Sequence, residues 1–383
     1  MTEEFDDIRP YNDEEFALAI DRLLKDSEFK RVMHFINPDI DWIQFETTMR
    51  SFNNTHDFQH IMVKEFIFFL LSNSAAKVDC SGFENIEKDK ARTFISNHRD
   101  IALDVSILCI LLSDNGYDTT EIAIGDNLLI QPWINDIVRL NKSFIVKRGV
   151  SGRQMLEASF HLSKYIHYAI ADKSQSIWIA QREGRAKNSD DRTQESLLKM
   201  LSMGGPNRDF LKNIEAINLT PLSLSYEYDP CDYLKAKELQ QKRDNPDFKK
   251  LPKDDLVNME TGIFGYKGNI HFQIGRPINQ FLSTIDKTME KAEIISAVAA
   301  LVDKEIYLNY RLYPVNYIAY DRLWGGNKTF KDLYTLKNEK EFDTYFQKKL
   351  DMIDLQDKDI PFLSEKLMEM YAYPVKNYLS VKK

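Results

Sequence analysis

From about residue 92 the chain alternates short β-rich runs with helical stretches, and this alternation limits the possible folds more than any other feature of the sequence. "TFIS" (93–96), "EIAIG" (121–125), "SFIVKR" (143–148), "SIWIAQ" (176–181), "LTPLSLSYE" (219–227) and "NIHFQIG" (269–275) read as strands. Helices are expected near 102–113, 152–172 and 193–203. Strands that alternate with helices pair mainly in parallel, because the connecting helix returns the chain across the sheet. The expected fold class is therefore α/β: a mostly parallel mixed sheet flanked by helices. In such sheets ligands bind beyond the carboxyl ends of the strands.

Residues 12 to 75 read as helices. Asn12 is the expected N-cap of the first, with Glu15 three residues on and apolar residues at helical spacing behind it. The polar stretch 81–92 reads as a junction, and the charged segment 237–255, with two prolines, as a solvated excursion. Beyond 288 the pattern is helical again. The expected organisation is a helical N-terminal module (1–80), an α/β domain (90–287) and a helical C-terminal extension (288–383).

Composition narrows the class of function. The net charge is −8, which argues against a nucleic-acid-coating protein but leaves room for a local basic patch that holds a phosphate. Cys80, Cys109 and Cys231 lie far apart without metal-ligand spacing, as buried thiols in a reducing compartment do. The acidic start "MTEEFDDIRPYNDEEF" has no secretory pattern, and no apolar run reaches the ~18 to 20 residues that span a bilayer. A cytoplasmic protein, peripheral to a membrane, is the expectation.

His98 follows the strand 93–96, where a parallel sheet presents side chains to a ligand. A neutral imidazole can take a proton from a hydroxyl if a carboxylate on its other nitrogen fixes the tautomer. Asp100 and Asp104 are the two local carboxylates. By itself a histidine beside acids is usually a surface or core residue; the order of the strand ends downstream of it changes that. Asn127 sits in a turn after one strand, Lys147 and Arg148 end the next, and Arg182, Glu183, Gly184, Arg185 and Lys187 follow another. A base and two groups of cations at successive strand ends suit a phosphate-bearing alcohol.

"NHRDIALD", "GDNLL", "SFIVKR", "QREGRAK", "LTPLSLSYE" and "NIHFQIGRPI" also occur in the order of the glycerolipid acyltransferases, and the chain resembles that family over about residues 90–280. It looks most like the glycerol-3-phosphate and dihydroxyacetone-phosphate acyltransferase branch. The resemblance implies transfer of a fatty acyl group from acyl-CoA or acyl carrier protein to a glycerol hydroxyl, without a covalent acyl-enzyme or any further cofactor. The implied partners are that acyl donor, a glycerol-phosphate acceptor and a membrane surface, with no nucleic acid. The family's histidine maps onto His98, its second-motif arginine onto Arg148, and its loop glutamate and glycine onto Glu183 and Gly184. Pro221 matches the family's proline. Lysolipid acylation, or a lapsed enzyme that binds lipid, are the rival functions.

Two departures stand out. The family places four residues between histidine and aspartate, whereas here five separate His98 from Asp104 and Leu103 takes the aspartate's slot. Asp104 is the expected partner and Asp100 the reserve. Arg185 follows Gly184 directly, with Ala186 in the family's arginine slot, so either Arg185 or Lys187 is left to contact phosphate. No metal site is expected. His56 and His60 share a helix face, but Asp57 stands where a zinc-protease motif needs glutamate. The apolar stripe 105–112 is expected in the core rather than against lipid.

Overall fold

The computed structural model describes residues 3–326 and 329–382. Seven strands form one sheet: β1 (Ala75–Ser81), β2 (Thr93–Ser96), β3 (Glu121–Gly125), β4 (Ser143–Val146), β5 (Ile177–Ala180), β6 (Leu219–Tyr226) and β7 (Gly268–Ile274). Their order is β1-β7-β6-β2-β5-β3-β4. All pairs are parallel except β6 with β7, so β7 and its parallel neighbour β1 run against the other five. The class is α/β with a mostly parallel mixed sheet and helical extensions, as the alternation predicts.

Two apolar layers close over the sheet because its strands are buried on both faces. On one face Ile95, Ile145, Ile177 and Ile179 pack under the helices Arg153–Ala171, Glu195–Met203 and Lys291–Leu308. On the other, Phe94, Trp178, Leu222 and Leu224 pack under the helix Leu103–Asp114 and the helix Lys64–Ser74. Val105, Ile107, Leu108, Cys109, Ile110 and Leu112 are all buried, so the stripe 105–112 is core. Each buried aliphatic side chain contributes about 1.5 to 3 kcal/mol, so packing is the main source of this helix's stability. The first long helix, Asp13–Lys25, has the predicted capping box: the Glu15 N–H donates to Asn12 Oδ1 (3.0 Å) and the Asn12 N–H to Glu15 Oε2 (2.9 Å).

Two expectations fail on the fold. No strand is expected before residue 93, yet β1 forms the sheet edge where the helical module was to end. "AAKVDCS" lacks a strict alternation because its pairing with β7 shifts between Ala75 and Lys77, and one face stays polar. On that face His271 Nδ1 binds Asp79 (2.5 Å) and Nε2 meets Ser81 Oγ (3.1 Å). The second failure is the solvated excursion: residues Asp232–Asp244 and Pro252–Phe264 are helices. Lys235, Glu238 and Gln240 are buried, and the charges of the first two are hidden in pairs: Lys235 with Asp229, Glu238 with Lys187 and Lys242. A hydropathy pattern sees only the charges. Ala236 on the same helix packs into the core formed by the C-terminal helices Pro314–Leu323, Leu336–Asp351 and Ile360–Val381.

Candidate active site

The parallel ladder between β2 and β5 ends at Ser96 and Ala180, and His98 stands just past it. A carboxylate can only accept, so the His98 Nδ1–H donates to Asp104 Oδ2 at 2.8 Å, and in a neutral ring the lone pair is then on Nε2. The ring lies 5.6 Å from that of Trp178, which is held in turn by its Nε1–H bond to Ser96 Oγ (3.0 Å). Asp104 is 1% exposed, and the same oxygen accepts the backbone N–H groups of Arg99 (2.6 Å) and Asp100 (3.0 Å). The carboxylate is thus fixed by its own loop before the histidine uses it.

The structure separates the two aspartates. Asp100 Oδ1 accepts the N–H groups of Ala102 (2.9 Å) and Leu103 (2.8 Å) and so closes the amino end of the helix Leu103–Asp114. It makes no bond to His98. Burial, with the nearby Asp104 charge adding, pushes the Asp100 carboxyl above its usual range. Behind it runs the helix Pro252–Phe264, and Gly262 faces Asp100 so closely that a Cβ would collide with Oδ2. Gly262→Ala is expected to lower the melting temperature by a few degrees, the effect of about 1 to 3 kcal/mol of overpacking. An unchanged thermal melt would contradict the close approach.

Three of the predicted binding residues meet at the ends of β3, β4 and β5. Asn127 folds its side chain back over Gly125, where only a missing Cβ leaves room, and Arg148 lies against the same glycine. The Arg148 N–H bonds Asp126 Oδ1 (2.9 Å), and its guanidinium bonds Glu183 Oε1 (2.8 Å). Their side chains are 34% and 70% exposed, so the pair is worth about 0.2 to 1 kcal/mol and gives way readily to a stronger anion. Gly184 takes φ +68°, turning the loop after Glu183 sharply. Lys147 is exposed beside Arg148.

Arg185 and Lys187 are placed elsewhere. Both turn under the helices Asp232–Asp244 and Pro252–Phe264: Arg185 bonds Asn258 Oδ1 (3.0 Å), and Lys187 pairs with Glu238. Arg185 is 9% exposed, and burial pushes the Lys187 ammonium down to about 8. They hold the loop to the helices instead of lining the arc of Arg148 and Glu183. The alternatives for a phosphate contact therefore both point inward, and the reason lies in helices more than forty residues downstream.

Several residues of the site carry no recognisable signal in the sequence. Arg99 is buried and paired with Asp191 (2.6 Å), which also accepts from Tyr310 Oη (2.7 Å). Asn97 donates to the Leu224 carbonyl (2.9 Å) and accepts its N–H (2.8 Å), tying the His98 loop to β6. Buried polar atoms without a partner among the described residues also occur at these strand ends: both amide atoms of Gln181, Arg182 Nε, Asp104 Oδ1 and Tyr226 Oη. Nearly all buried polar groups are bonded in folded proteins, so such a concentration marks where a ligand or water docks. Arg182 follows β5, two residues beyond Ala180, as His98 is two residues beyond its register partner Ser96. It has no carboxylate partner among the described residues. The His56 and His60 rings lie 4.7 Å apart, but His60 Nδ1 is taken by Ser113 Oγ (2.8 Å), and no group of three metal-ligating side chains occurs among the described residues.

Residues 77–204, which include β2 to β5 and the loops at their carboxyl ends, match the model of the Acyltransferase family. No curated protein matches the chain. Among solved structures, the 1-acyl-sn-glycerophosphate (LPA) acyltransferase PlsC from Thermotoga maritima is similar over 76% of this chain and 92% of its own, with 12% identity and a TM-score of 0.37.

Proposed function

We propose that this chain is an O-acyltransferase that moves a fatty acyl group from a thioester, acyl-CoA or acyl carrier protein, to a hydroxyl of a phosphate-bearing glycerol, with glycerol 3-phosphate the favoured acceptor. The observation that carries the reading is the His98–Asp104 pair standing at the strand ends within the segment that matches the acyltransferase model. His98 Nε2 takes the hydroxyl proton as the oxygen attacks the thioester carbonyl. Asp104 stabilises the imidazolium through Nδ1–H. When the tetrahedral intermediate collapses, the C–S bond breaks and the imidazolium returns its proton to the leaving thiolate. The acyl group passes directly to the acceptor, and no residue is acylated.

Arg148, with Asn127 and Lys147 beside it, holds the acceptor phosphate in this scheme, and Glu183 is the carboxylate it releases. Arg182, at the end of the strand beside that of His98 and without a carboxylate partner among the described residues, is the second cation in place of the buried Arg185 and Lys187. Charge-assisted bonds are worth about 1.5 to 3 kcal/mol each. Arg148→Ala and Arg182→Ala are thus expected to raise the acceptor KM roughly tenfold or more and the donor KM much less. Arg185→Ala and Lys187→Ala should show instead as lost stability. An equal effect of Arg148→Ala on both substrates would take it out of the phosphate site.

The product is a lipid, and no helix among the described residues is long and apolar enough to cross a membrane. Reversible docking on a membrane surface fits this reading. Phe68 and Phe69 on the helix Lys64–Ser74 are exposed while Ile67, Leu70 and Leu71 on the same helix are core. The deciding assay is the purified chain with radiolabelled glycerol 3-phosphate, and in parallel lysophosphatidate, against acyl-CoA donors of several chain lengths and acyl carrier protein. Labelled phospholipid from glycerol 3-phosphate supports the proposal, and product from lysophosphatidate alone reassigns the acceptor. Absence of lipid product with both acceptors and every donor would refute acyl transfer.

A further inference from the structure

Tyr226 is the last residue of β6, and alternation sets it with Leu222 and Leu224 on the face of the sheet that carries Phe94 and Trp178. Asn97 pairs with the Leu224 backbone, so the next side chain of β6 on that face reaches the start of the helix that bears Asp104. The Tyr226 hydroxyl is buried without a partner among the described residues, and so is the outer oxygen of Asp104, Oδ1. Burial first, then the charges of Asp104 and Asp100 and a hydrogen-bonding interaction with Asp104, raise the phenol far above its usual range, so it stays a donor. No direct bond shorter than 3.5 Å joins the two atoms, yet each is what the other lacks.

Most of the other groups facing this point are committed elsewhere. Asp100 Oδ1 closes the helix start, Asp229 is paired with Lys235, Arg99 and Tyr310 bind Asp191, and Arg185 binds Asn258. Lys267 gives its protons to the carbonyls of Ile263 (3.0 Å) and Gly265 (2.7 Å). Arg185 Nη1 also lacks a partner among the described residues, but it is Tyr226 that has the hydrogen-bonding interaction with Asp104.

We infer that Tyr226 is a positioning residue: its hydroxyl donates to Asp104 Oδ1 while Asp104 Oδ2 receives His98, so that a Tyr226–Asp104–His98 chain sets the orientation and the strength of the base. A carboxylate shared between two donors gives less of its charge to each. Taking away the tyrosine proton therefore tightens the His98–Asp104 bond, and strengthening the tyrosine as a donor loosens it. In a scheme where the imidazolium must return its proton to the leaving thiolate, either change slows turnover without touching the substrate. The kinetic part of this inference rests on the acyl-transfer reading; the hydrogen-bonded chain itself does not.

The test is proton NMR of the full chain, tracking the downfield Nδ1–H signal of His98, which is assigned by its loss in His98→Gln. In Tyr226→Phe the signal is expected to move further downfield. With 3,5-difluorotyrosine at position 226, a stronger donor that keeps the ring and the hydroxyl, it should move upfield. In the acyltransferase assay with palmitoyl-CoA and glycerol 3-phosphate, Tyr226→Phe should lower kcat roughly threefold to tenfold with the acceptor KM nearly unchanged. A signal unmoved in both variants would overturn the inference, as would Tyr226→Phe acting on KM alone. If the wild-type chain transfers no acyl group but the signal moves as expected, the acyl-transfer reading falls and the Tyr226–Asp104–His98 chain stands.

Discussion

Replacing His98 with alanine is expected to lower kcat at least ~100-fold, the low end of what a general base supplies. The side chain is 14% exposed and makes one strong hydrogen bond, to Asp104, so the fold loses little. The substitution does leave Asp104 short of one of its three donors, but the Arg99 and Asp100 N–H groups remain on the same oxygen. Circular dichroism and the thermal melt should therefore stay close to wild type while steady-state turnover collapses. If the variant kept near-wild-type kcat with the same substrates, His98 would not be the base and the proposed mechanism would fail.

Asp104→Asn should be nearly as damaging, and Asp100→Asn much milder. An asparagine at 104 can place its carbonyl oxygen where Oδ2 now accepts His98, Arg99 and Asp100, so the geometry survives. What disappears is the charge that stabilises the imidazolium, or the tautomer itself if the amide turns its NH2 toward the ring. Loss of such a carboxylate costs a serine–histidine–aspartate enzyme up to about ten-thousandfold. A fall of at least ~100-fold in kcat is expected here. At position 100 the carboxyl is already pushed toward its neutral form and serves two backbone N–H groups, which an asparagine oxygen also serves. That variant should cost a few-fold in rate and a modest drop in melting temperature. The reverse order of the two effects, measured as kcat on the same acceptor, would give Asp100 the orienting role.

The strand-end logic of the site is visible in the chain because it is local. β2 to β7 each have a run of apolar or β-branched residues close to its final bounds, and a parallel sheet must bring such ends together. That is why Asn127, Arg148 and Glu183 could be named as neighbours, and His98 set at the end of the adjoining part of the sheet, without coordinates. The choice between Asp100 and Asp104 could not be made in the same way. Both are within one helical turn of each other, and the outcome depends on which carboxylate the first turn of the helix Leu103–Asp114 consumes. Asp100 spends its oxygen there, and Asp104, four residues on, is carried round to face the ring.

Arg185 and Lys187 show the other limit. In the chain they look like the cations next to Glu183, but a loop residue turns toward whatever partners the fold supplies. Asn258 and Glu238 arrive on helices that the charged sequence concealed, and they draw both cations inward. The same holds for β1, which becomes a strand because β7 offers a parallel edge 190 or so residues away. Tyr226 is legible only as the end of a strand; that it meets Asp104 depends on Asn97 stitching β6 to the His98 loop. Local hydrophobic order thus determined the α/β class, the strand ends and the residue types that gather there. Long-range partners decided which charges stay free for a ligand, because burying a charge is tolerable only where another part of the chain can pair it.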